Sequence, residues 1–303
     1  ATRGAVHAIT KLVADRHAAR HRDFFAQWPE FETDYNDHFE TPQQAFSDIA
    51  PALRQLAFRR FGSELASAAP EEDAIANALR QHTIFDPYFC KGKMREALAS
   101  AIGCGSDRVI NENRDFYADV SAGTVPAHDC LVTNPPYSGK HKQKLLDYLL
   151  ADAHCHCMAA SLSHPFMLLM PAWVACTDYW KEFLRACAAL RQEITKASVR
   201  KARRDGRPRN QTLEFRAGVF YLCPKERYNY AHPDGTGHAQ SPFHSIWYCG
   251  GWNSEAERKL VQRALRAARR QGALELFRTA RMLRKRGHCT KGGGGGSRSM
   301  NGK

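Results

Sequence analysis

Short apolar segments alternate with amphipathic segments through the middle of this 303-residue chain. The apolar segments have the length of strands, and the segments between them place apolar residues at helical spacing. Because strands that alternate with helices pack as a mostly parallel sheet with helices on both faces, we predict an α/β fold. The predicted strands lie at 82–89, 108–113, 128–137 and 164–171, and the predicted helices between or after them lie at 92–103, 141–153 and 177–190.

Two further predicted strands, at 217–224 and 243–250, have only a turn-rich segment between them, so we expect an antiparallel pair. Residues 1–62 are predicted to be helical, with Thr41 as an N-cap before Pro42 at the first helical position. Residues 254–286 are predicted to form a basic amphipathic helix, with a possible break at Gly272. The predicted division is a helical N-terminal extension (1–62), an α/β domain (63–253), a basic C-terminal helix (254–291) and a flexible Gly-rich tail (292–303).

The ten cysteines are scattered, and several lie inside apolar, strand-like runs. Buried free thiols in an intracellular, reducing compartment explain this pattern best, with cytoplasm, nucleus and organelle left open. The His-Cys-His-Cys run at 154–157 has no second ligand pair at zinc spacing, so we favour ordinary side chains there and expect no metal. We also expect no membrane span and no secretory signal peptide, since no run of about 20 apolar residues occurs.

Positive charge is concentrated at 196–210 and again at 263–287 in a chain whose formal net charge is +13. Residues 196–210 hold seven Lys or Arg and one Asp, and Gly206 and Pro208 favour an exposed loop there. Clustered cations attract nucleic acid through counterion release, although a solvated surface loop is the alternative interpretation. The candidate nucleic-acid-binding residues are Arg200, Lys201, Arg203, Arg204, Arg207 and Arg209.

Unusual polar residues follow the predicted strands, at the carboxyl ends where open α/β sheets bind ligands. The first strand ends in DPYFCKG, the second in NENRDFY and the third in Asn134-Pro135-Pro136-Tyr137. A rigid turn is the simplest interpretation of the Asn-Pro-Pro-Tyr segment. However, chance alone produces such a segment at a strand end in few chains of this length.

The Asn-Pro-Pro-Tyr segment resembles the catalytic motif of the S-adenosyl-L-methionine (SAM)-dependent amino-methyltransferases, and the resemblance extends over about residues 37–250. It implies a Rossmann-like class I methyltransferase sheet, mostly parallel with a late antiparallel hairpin. It also implies that the Asn134 side-chain oxygen and the Pro135 carbonyl accept hydrogen bonds from a planar amine. Pro136 would keep the turn rigid, and Tyr137 would stack on the target group.

The resemblance also implies a set of SAM-binding residues. The segment DHFETPQQAFSDI (37–49) is similar to the family's N-terminal cofactor-contact segment, and DPYFCKG departs from the family's Asp-Pro-x-x-Gly-x-Gly in retaining only Gly92. Glu112 is assigned to the ribose, and Asp115 with Phe116 to the adenine. The implied cofactor-binding residues are Thr41, Pro42, Asp86, Tyr88, Gly92, Glu112, Asp115, Phe116 and Asn134.

The function expected from the resemblance and the charge is methylation of the exocyclic N6 amine of adenine in nucleic acid. RNA is slightly favoured over DNA, because single-stranded bases need no extrusion from a duplex. Two alternatives stay open: a protein-glutamine N5-methyltransferase, and a non-catalytic RNA-binding ribonucleoprotein subunit on the same fold. The expected partner is nucleic acid, without metal or membrane, and the sequence does not indicate an oligomeric state.

Overall fold

The computed structural model describes residues 40–62, 71–90, 92–158, 164–204, 218–230, 243–268 and 274–288. The strands are β1 (Ile84–Phe85), β2 (Val109–Ile110), β3 (Cys130–Thr133), β4 (Phe166–Pro171), β5 (Phe220–Pro224), β6 (Ser245–Gly250) and β7 (Leu274–Phe277). The helices are α1 (Gln43–Ala57), α2 (Glu71–Leu79), α3 (Lys93–Ile102), α4 (Phe116–Ala122), α5 (His141–Met158), α6 (Asp178–Arg204), α7 (Glu255–Ala268) and α8 (Ala280–Lys285). A π-helical turn (Phe58–Gly62) continues α1, and 3₁₀ turns lie at Ser106–Arg108 and Ala172–Cys176.

The strands form one seven-stranded mixed sheet in the order β2-β1-β3-β4-β6-β5-β7. The first four strands of this order are parallel, with Phe85 opposite both Ile110 and Leu131. Strand β6 is antiparallel to both β4 and β5, and β7 is antiparallel to β5. The fold is therefore α/β and consistent with a Rossmann-like sheet, and the predicted antiparallel pairing of the two late strands is confirmed.

Both faces of the sheet are covered, as the uninterrupted apolar sequence of β4 predicts. All six residues of β4 are buried. Met167 and Leu169 face a core that includes residues of α1, α3 and α7, whereas Phe166, Leu168 and Met170 face a core that includes residues of α5, α6 and α8. Strands buried on both faces lose the alternation of apolar and polar residues, which explains the continuous run.

Helix α1 belongs to the layer that covers the sheet. Its buried Phe46 packs near the ring of Trp247 on β6, and the Trp247 indole N–H donates to the Ala45 carbonyl at 3.1 Å. The prediction of Thr41 as N-cap is wrong, because Pro42 occupies that position without a side-chain cap hydrogen bond and α1 begins at Gln43.

The helix predicted over 254–286 is wrong at Leu274–Phe277, where the chain forms a strand, and the predicted break at Gly272 lies outside the described residues. Helix α7 ends at Ala268, and the chain returns to the sheet as β7, where Leu274 and Phe277 are buried. Pairing with β5 satisfies the β7 backbone groups that face β5, and it buries the apolar ends of β7. These tertiary contacts outweigh the helical tendency of the surrounding basic sequence.

The predicted loop at 196–210 is also wrong as far as Arg204, since α6 continues to that residue. Lys, Arg and Ala are good helix formers, and cations in the last turns of a helix are favoured by its dipole. Gly206 and Pro208, on which the loop prediction rested, lie outside the described residues.

Within the described part of the chain, no helix has the length and apolar character needed to span a membrane. The seven cysteines whose side chains the structure describes are all free, and four of them, Cys130, Cys187, Cys223 and Cys249, are buried. The prediction of buried free thiols is therefore confirmed for these positions.

Candidate active site at the carboxyl edge of the sheet

Asp86 is the first residue after β1 and lies beside the end of β3. Its carboxylate oxygen Oδ1 accepts hydrogen bonds from the Thr133 hydroxyl at 2.5 Å and from the Tyr88 backbone N–H at 3.1 Å. The side chain is buried, and burial raises its pKa from 3.8 to about 7, against the opposing effect of these two hydrogen bonds. Asp86 is therefore an acid that can be protonated near neutral pH, held at the edge where the resemblance expects cofactor.

Asn111 connects the end of β2 to the Asp86 turn. Its amide nitrogen donates to the Asp86 and Tyr88 carbonyl oxygens, both at 3.2 Å, whereas its buried Oδ1 has no hydrogen-bond partner among the described residues. Glu112, the predicted ribose contact, is exposed and lies 3.6 Å from Arg114. Sequence analysis missed Asn111, although the signal was its position as the first residue after the second strand.

Asp115 and Phe116, the predicted adenine contacts, have structural roles at the start of α4. Asp115 caps the helix by accepting from the N–H groups of Tyr117 and Ala118 at 2.9 and 3.1 Å. Phe116 is buried in the core, with its ring centroid 5.8 Å from that of Tyr88. Their contact with adenine stays a prediction, and for Phe116 it would need the covering side chains to move.

The predicted N-terminal contact segment lies against the turn after β1. Glu40, just before Thr41 and Pro42, forms an ion pair with Lys93 at 3.0 Å, beside Gly92. Thr41 and Pro42 follow Glu40 in the chain, and their contact with cofactor stays a prediction. Gly92 has a positive φ of 77°, which explains why glycine stands there.

Asn134, Pro135, Pro136 and Tyr137 follow β3 directly, and Pro135 is buried while the other three are half-buried. The Tyr137 hydroxyl donates to Asn134 Oδ1 at 2.6 Å and lies 3.2 Å from the Leu169 carbonyl oxygen of β4. Burial raises the Tyr137 pKa well above its usual value, so this hydroxyl stays protonated. The Asn134 oxygen predicted to accept a substrate amine therefore already accepts a hydrogen bond from Tyr137.

Three elements fix the position of Tyr137. Lys142 at the start of α5 donates to the Tyr137 backbone carbonyl, and β4 supplies the Leu169 carbonyl beside the Tyr137 hydroxyl. The ring of Phe243 lies edge-on to the Tyr137 ring, with 5.1 Å between the ring centroids. Tyr137 thus lies against its neighbours, and stacking on a substrate would require it to turn. Sequence analysis missed Lys142 and Phe243, because no pattern links them to the Asn-Pro-Pro-Tyr segment.

The predicted nucleic-acid-binding residues are only partly described. Arg200 and Arg204 are exposed on the last turns of α6. The side chains of Lys201 and Arg203, and residues Arg207 and Arg209 altogether, lie outside what the structure describes.

A second basic surface, here called the α7 groove, lies in the basic C-terminal stretch, from which no individual binding residues were predicted. Its volume is about 590 Å³, and its cationic lining includes Lys259, Arg263 and Arg266 of α7 together with Arg278. Within the described part of the chain, no ion pair involves Arg263, Arg266 or Arg278. The buried Gln262 Nε2, which also lines this groove, lacks a hydrogen-bond partner there. Guanidinium groups without an ion pair form a surface suited to phosphate oxygens.

No model of a known protein family matches the chain, and no curated protein sequence matches it significantly. The methyltransferase resemblance therefore depends on the motif and on the placement of its residues at the carboxyl edge of the sheet.

Proposed function

We propose that the chain is a SAM-dependent methyltransferase that modifies the exocyclic N6 amine of adenine in nucleic acid. The observation that carries the proposal is that Asn134 directly follows β3, while the buried Asp86 directly follows the neighbouring strand β1. The two functions that the resemblance assigns to separate segments, holding cofactor and accepting from the amine, thereby meet at one edge. The mixed sheet, parallel in its centre and with β6 reversed, is consistent with a Rossmann-like fold.

The residues at this edge suit SAM chemically. Asp86 offers a carboxylate for an ammonium group, and Asn111 Oδ1 is a buried acceptor without a partner among the described residues, suited to a hydroxyl. When bound, SAM would supply a methyl group made electrophilic by its sulfonium charge.

The protein's own contribution is to direct the lone pair of the amine. An exocyclic amine is a poor nucleophile, because its lone pair is delocalised into the ring. Asn134 Oδ1 would accept one amine N–H and the Pro135 carbonyl the other, which favours a lone pair directed out of the ring plane toward the methyl group. The Tyr137 hydroxyl takes one of the two lone pairs of Asn134 Oδ1 and so competes with the amine for this atom. If Tyr137 turned away from Asn134, its ring would be able to stack on the base.

The α7 groove favours nucleic acid over a protein glutamine as substrate. Arg263, Arg266 and Arg278 have no ion pair within the described part of the chain, whereas Arg258 in the same groove pairs with Glu255. The three arginines are therefore available to the negative charges of a phosphate backbone. A protein-glutamine enzyme has no need of such a surface. RNA remains slightly favoured, because its single-stranded bases need no extrusion.

A second candidate, a non-catalytic RNA-binding protein on the same fold, is favoured by one observation. The Phe89 ring packs so closely over Gly92 that a Cβ there would lie 2.9 Å from it. An aromatic ring thus occupies part of the turn in which the family has small residues.

Methyl transfer from labelled SAM to separate RNA, DNA and protein pools tests both candidates. We expect label in RNA or DNA, and we expect Asn134→Ala to abolish transfer while calorimetry gives a SAM affinity within a few-fold of the original. Asn77→Ala is the matched control. It removes an asparagine whose Oδ1 accepts a hydrogen bond from the side chain of Arg80, three residues along the chain. Label in protein alone would contradict the proposed substrate, and absence of SAM binding would favour the non-catalytic candidate.

A further inference from the structure

Three side chains of metal-ligand type lie close together near the end of β5, the start of β6 and the end of α8. They are Cys223 on β5, His244 just before β6 and His288 just after α8, and their ligand atoms all lie within 4.8 Å of one another. Cys223 is buried and the two histidines are half-buried, so the cluster is largely shielded from solvent. We propose that this cluster binds one Zn²⁺ ion, which holds the C-terminal segment to the sheet.

The distances approach those of a tetrahedral zinc site. Zn–S bonds of about 2.3 Å and Zn–N bonds of about 2.0 Å place the sulfur and nitrogen atoms about 3.5 Å apart. Cys223 Sγ and His244 Nε2 are 3.8 Å apart, and the imidazole rings of His244 and His288 have their centroids at 5.1 Å. Small side-chain rotations are therefore enough to complete the coordination.

Glu275 offers a fourth ligand. It lies directly opposite Cys223 in the β5–β7 pairing, so both side chains project from the same face of the sheet. Its Oε2 is 4.0 Å from His288 Nε2. One thiolate, one carboxylate and two neutral imidazoles would balance the charge of Zn²⁺ and close the site to water, as structural zinc sites require.

Zinc would replace two protons that now share one acceptor. His244 Nε2–H donates to the Pro224 carbonyl at 2.7 Å, and the Cys223 thiol lies 3.6 Å from the same oxygen. On binding, the thiol proton would leave to solvent, and the His244 proton would move to Nδ1 so that Nε2 could coordinate the ion.

The consequence would be a tie between segments that are far apart in sequence. Residue 223 is separated from 244 by 21 positions and from 288 by 65 positions, and no spacing motif connects them. The ion would also fix His244 beside Phe243, whose ring contacts Tyr137, so the site would support the candidate active-site edge without taking part in methyl transfer.

Metal analysis and thermal unfolding of the full chain test the proposal. Protein prepared with Zn²⁺ should retain about one equivalent, and chelation should lower its Tm by about 5 °C or more, since an ion that binds only the folded state stabilises it. Substitution with Co²⁺ should give the visible bands of tetrahedral coordination and a thiolate-to-cobalt band. Failure of wild-type protein to retain zinc, or a Tm that chelation does not change, would refute the site.

Substitutions locate the ion. Cys223→Ser should abolish the thiolate band and His288→Gln should weaken zinc binding at least about tenfold. If Cys223→Ser fails to fold because Cys223 is buried, His288→Gln still tests the site, because His288 is only half-buried. The matched controls are Cys176→Ser, a half-buried free thiol, and His164→Gln, a histidine paired with Asp152, and both should bind as wild type does. A cobalt spectrum unchanged in both site variants would assign the ion elsewhere, for example to residues 154–157, and would overturn the proposal.

Discussion

Replacing Asp86 with asparagine should stabilise the folded protein increasingly as the pH rises from 4 to 8. The carboxyl is buried, and among the described residues its partners are a hydroxyl and a backbone N–H rather than a cation. Burial raises its pKa from 3.8 to about 7. An amide has the same shape, accepts the same two hydrogen bonds through Oδ1 and cannot ionise.

The sign follows from linkage. Below pH 4 the carboxyl is protonated in both folded and unfolded chains, so its full contribution to stability is present. As the pH rises toward 7, the unfolded chain loses the proton first, and the folded state becomes progressively less stable until the folded pKa is passed. A difference of about 3 pKa units corresponds to about 4 kcal/mol of lost stability above pH 7, of which about 3 kcal/mol is lost between pH 5 and pH 8.

Urea unfolding of wild type and Asp86→Asn at pH 5 and pH 8 measures this difference. The advantage of the variant should grow by about 3 kcal/mol between the two pH values. Asp178→Asn makes the same chemical change at a side chain that is 89% exposed, and its effect should stay within about 0.5 kcal/mol at both pH values. An Asp86→Asn variant whose relative stability is the same at pH 5 and pH 8 would refute the raised pKa.

Three further predictions concern the proposed function. SAM affinity should fall about tenfold for each pH unit below 7, because Asp86 must lose its proton to bind an ammonium group, and calorimetry of Asp86→Asn should show weak binding with no such dependence. Tyr137→Phe should raise kcat/KM for the nucleic acid about two- to tenfold. The substitution keeps the aromatic ring but removes a hydrogen bond to Asn134, worth about 0.5–1.5 kcal/mol, that competes with the substrate amine. A loss of activity instead would show that the hydroxyl is needed. Replacing Arg263 and Arg266 with glutamine should weaken nucleic-acid binding and flatten the slope of log affinity against log salt by about 0.7–0.9 for each phosphate that the variant no longer neutralises, and an unchanged slope would exclude the α7 groove as the interface.

The layered fold could be predicted because its signals are local. The apolar run of β4 and the glycine that ends α3 with a positive φ at Gly103 depend only on neighbouring residues. The errors occurred where tertiary contacts or helix-end electrostatics decided the outcome. Strand β7 exists because β5 offers an edge to pair with, and nothing in its own four residues distinguishes it from the basic helix predicted there.

The candidate site was predictable in position and not in conformation. Asn134 could be placed because a polar residue after a buried strand must lie at the sheet's carboxyl edge. The orientation of Tyr137 could not be inferred, because its hydroxyl and ring are held by Leu169 and Phe243, which are distant in sequence. The cluster of Cys223, His244 and His288 could not be predicted for the same reason, because these residues are distant in sequence and share no motif spacing.

The contacts on Tyr137 lead to a last prediction about substrate size. Turning Tyr137 toward a base would break its hydrogen bond to Asn134 and its ring contact with Phe243 before any bond to substrate is gained. A free nucleoside has only its own stacking to offset this loss, whereas an oligonucleotide also gains phosphate contacts remote from the reacting amine. Binding energy from remote parts of a substrate can drive such a rearrangement, and it then appears in turnover as well as in affinity. Adenosine should therefore be methylated with a lower kcat than an adenine-containing oligonucleotide at saturation, and Tyr137→Phe should narrow the difference. Equal kcat values for adenosine and oligonucleotide would mean that the Tyr137 contacts impose no barrier to substrate.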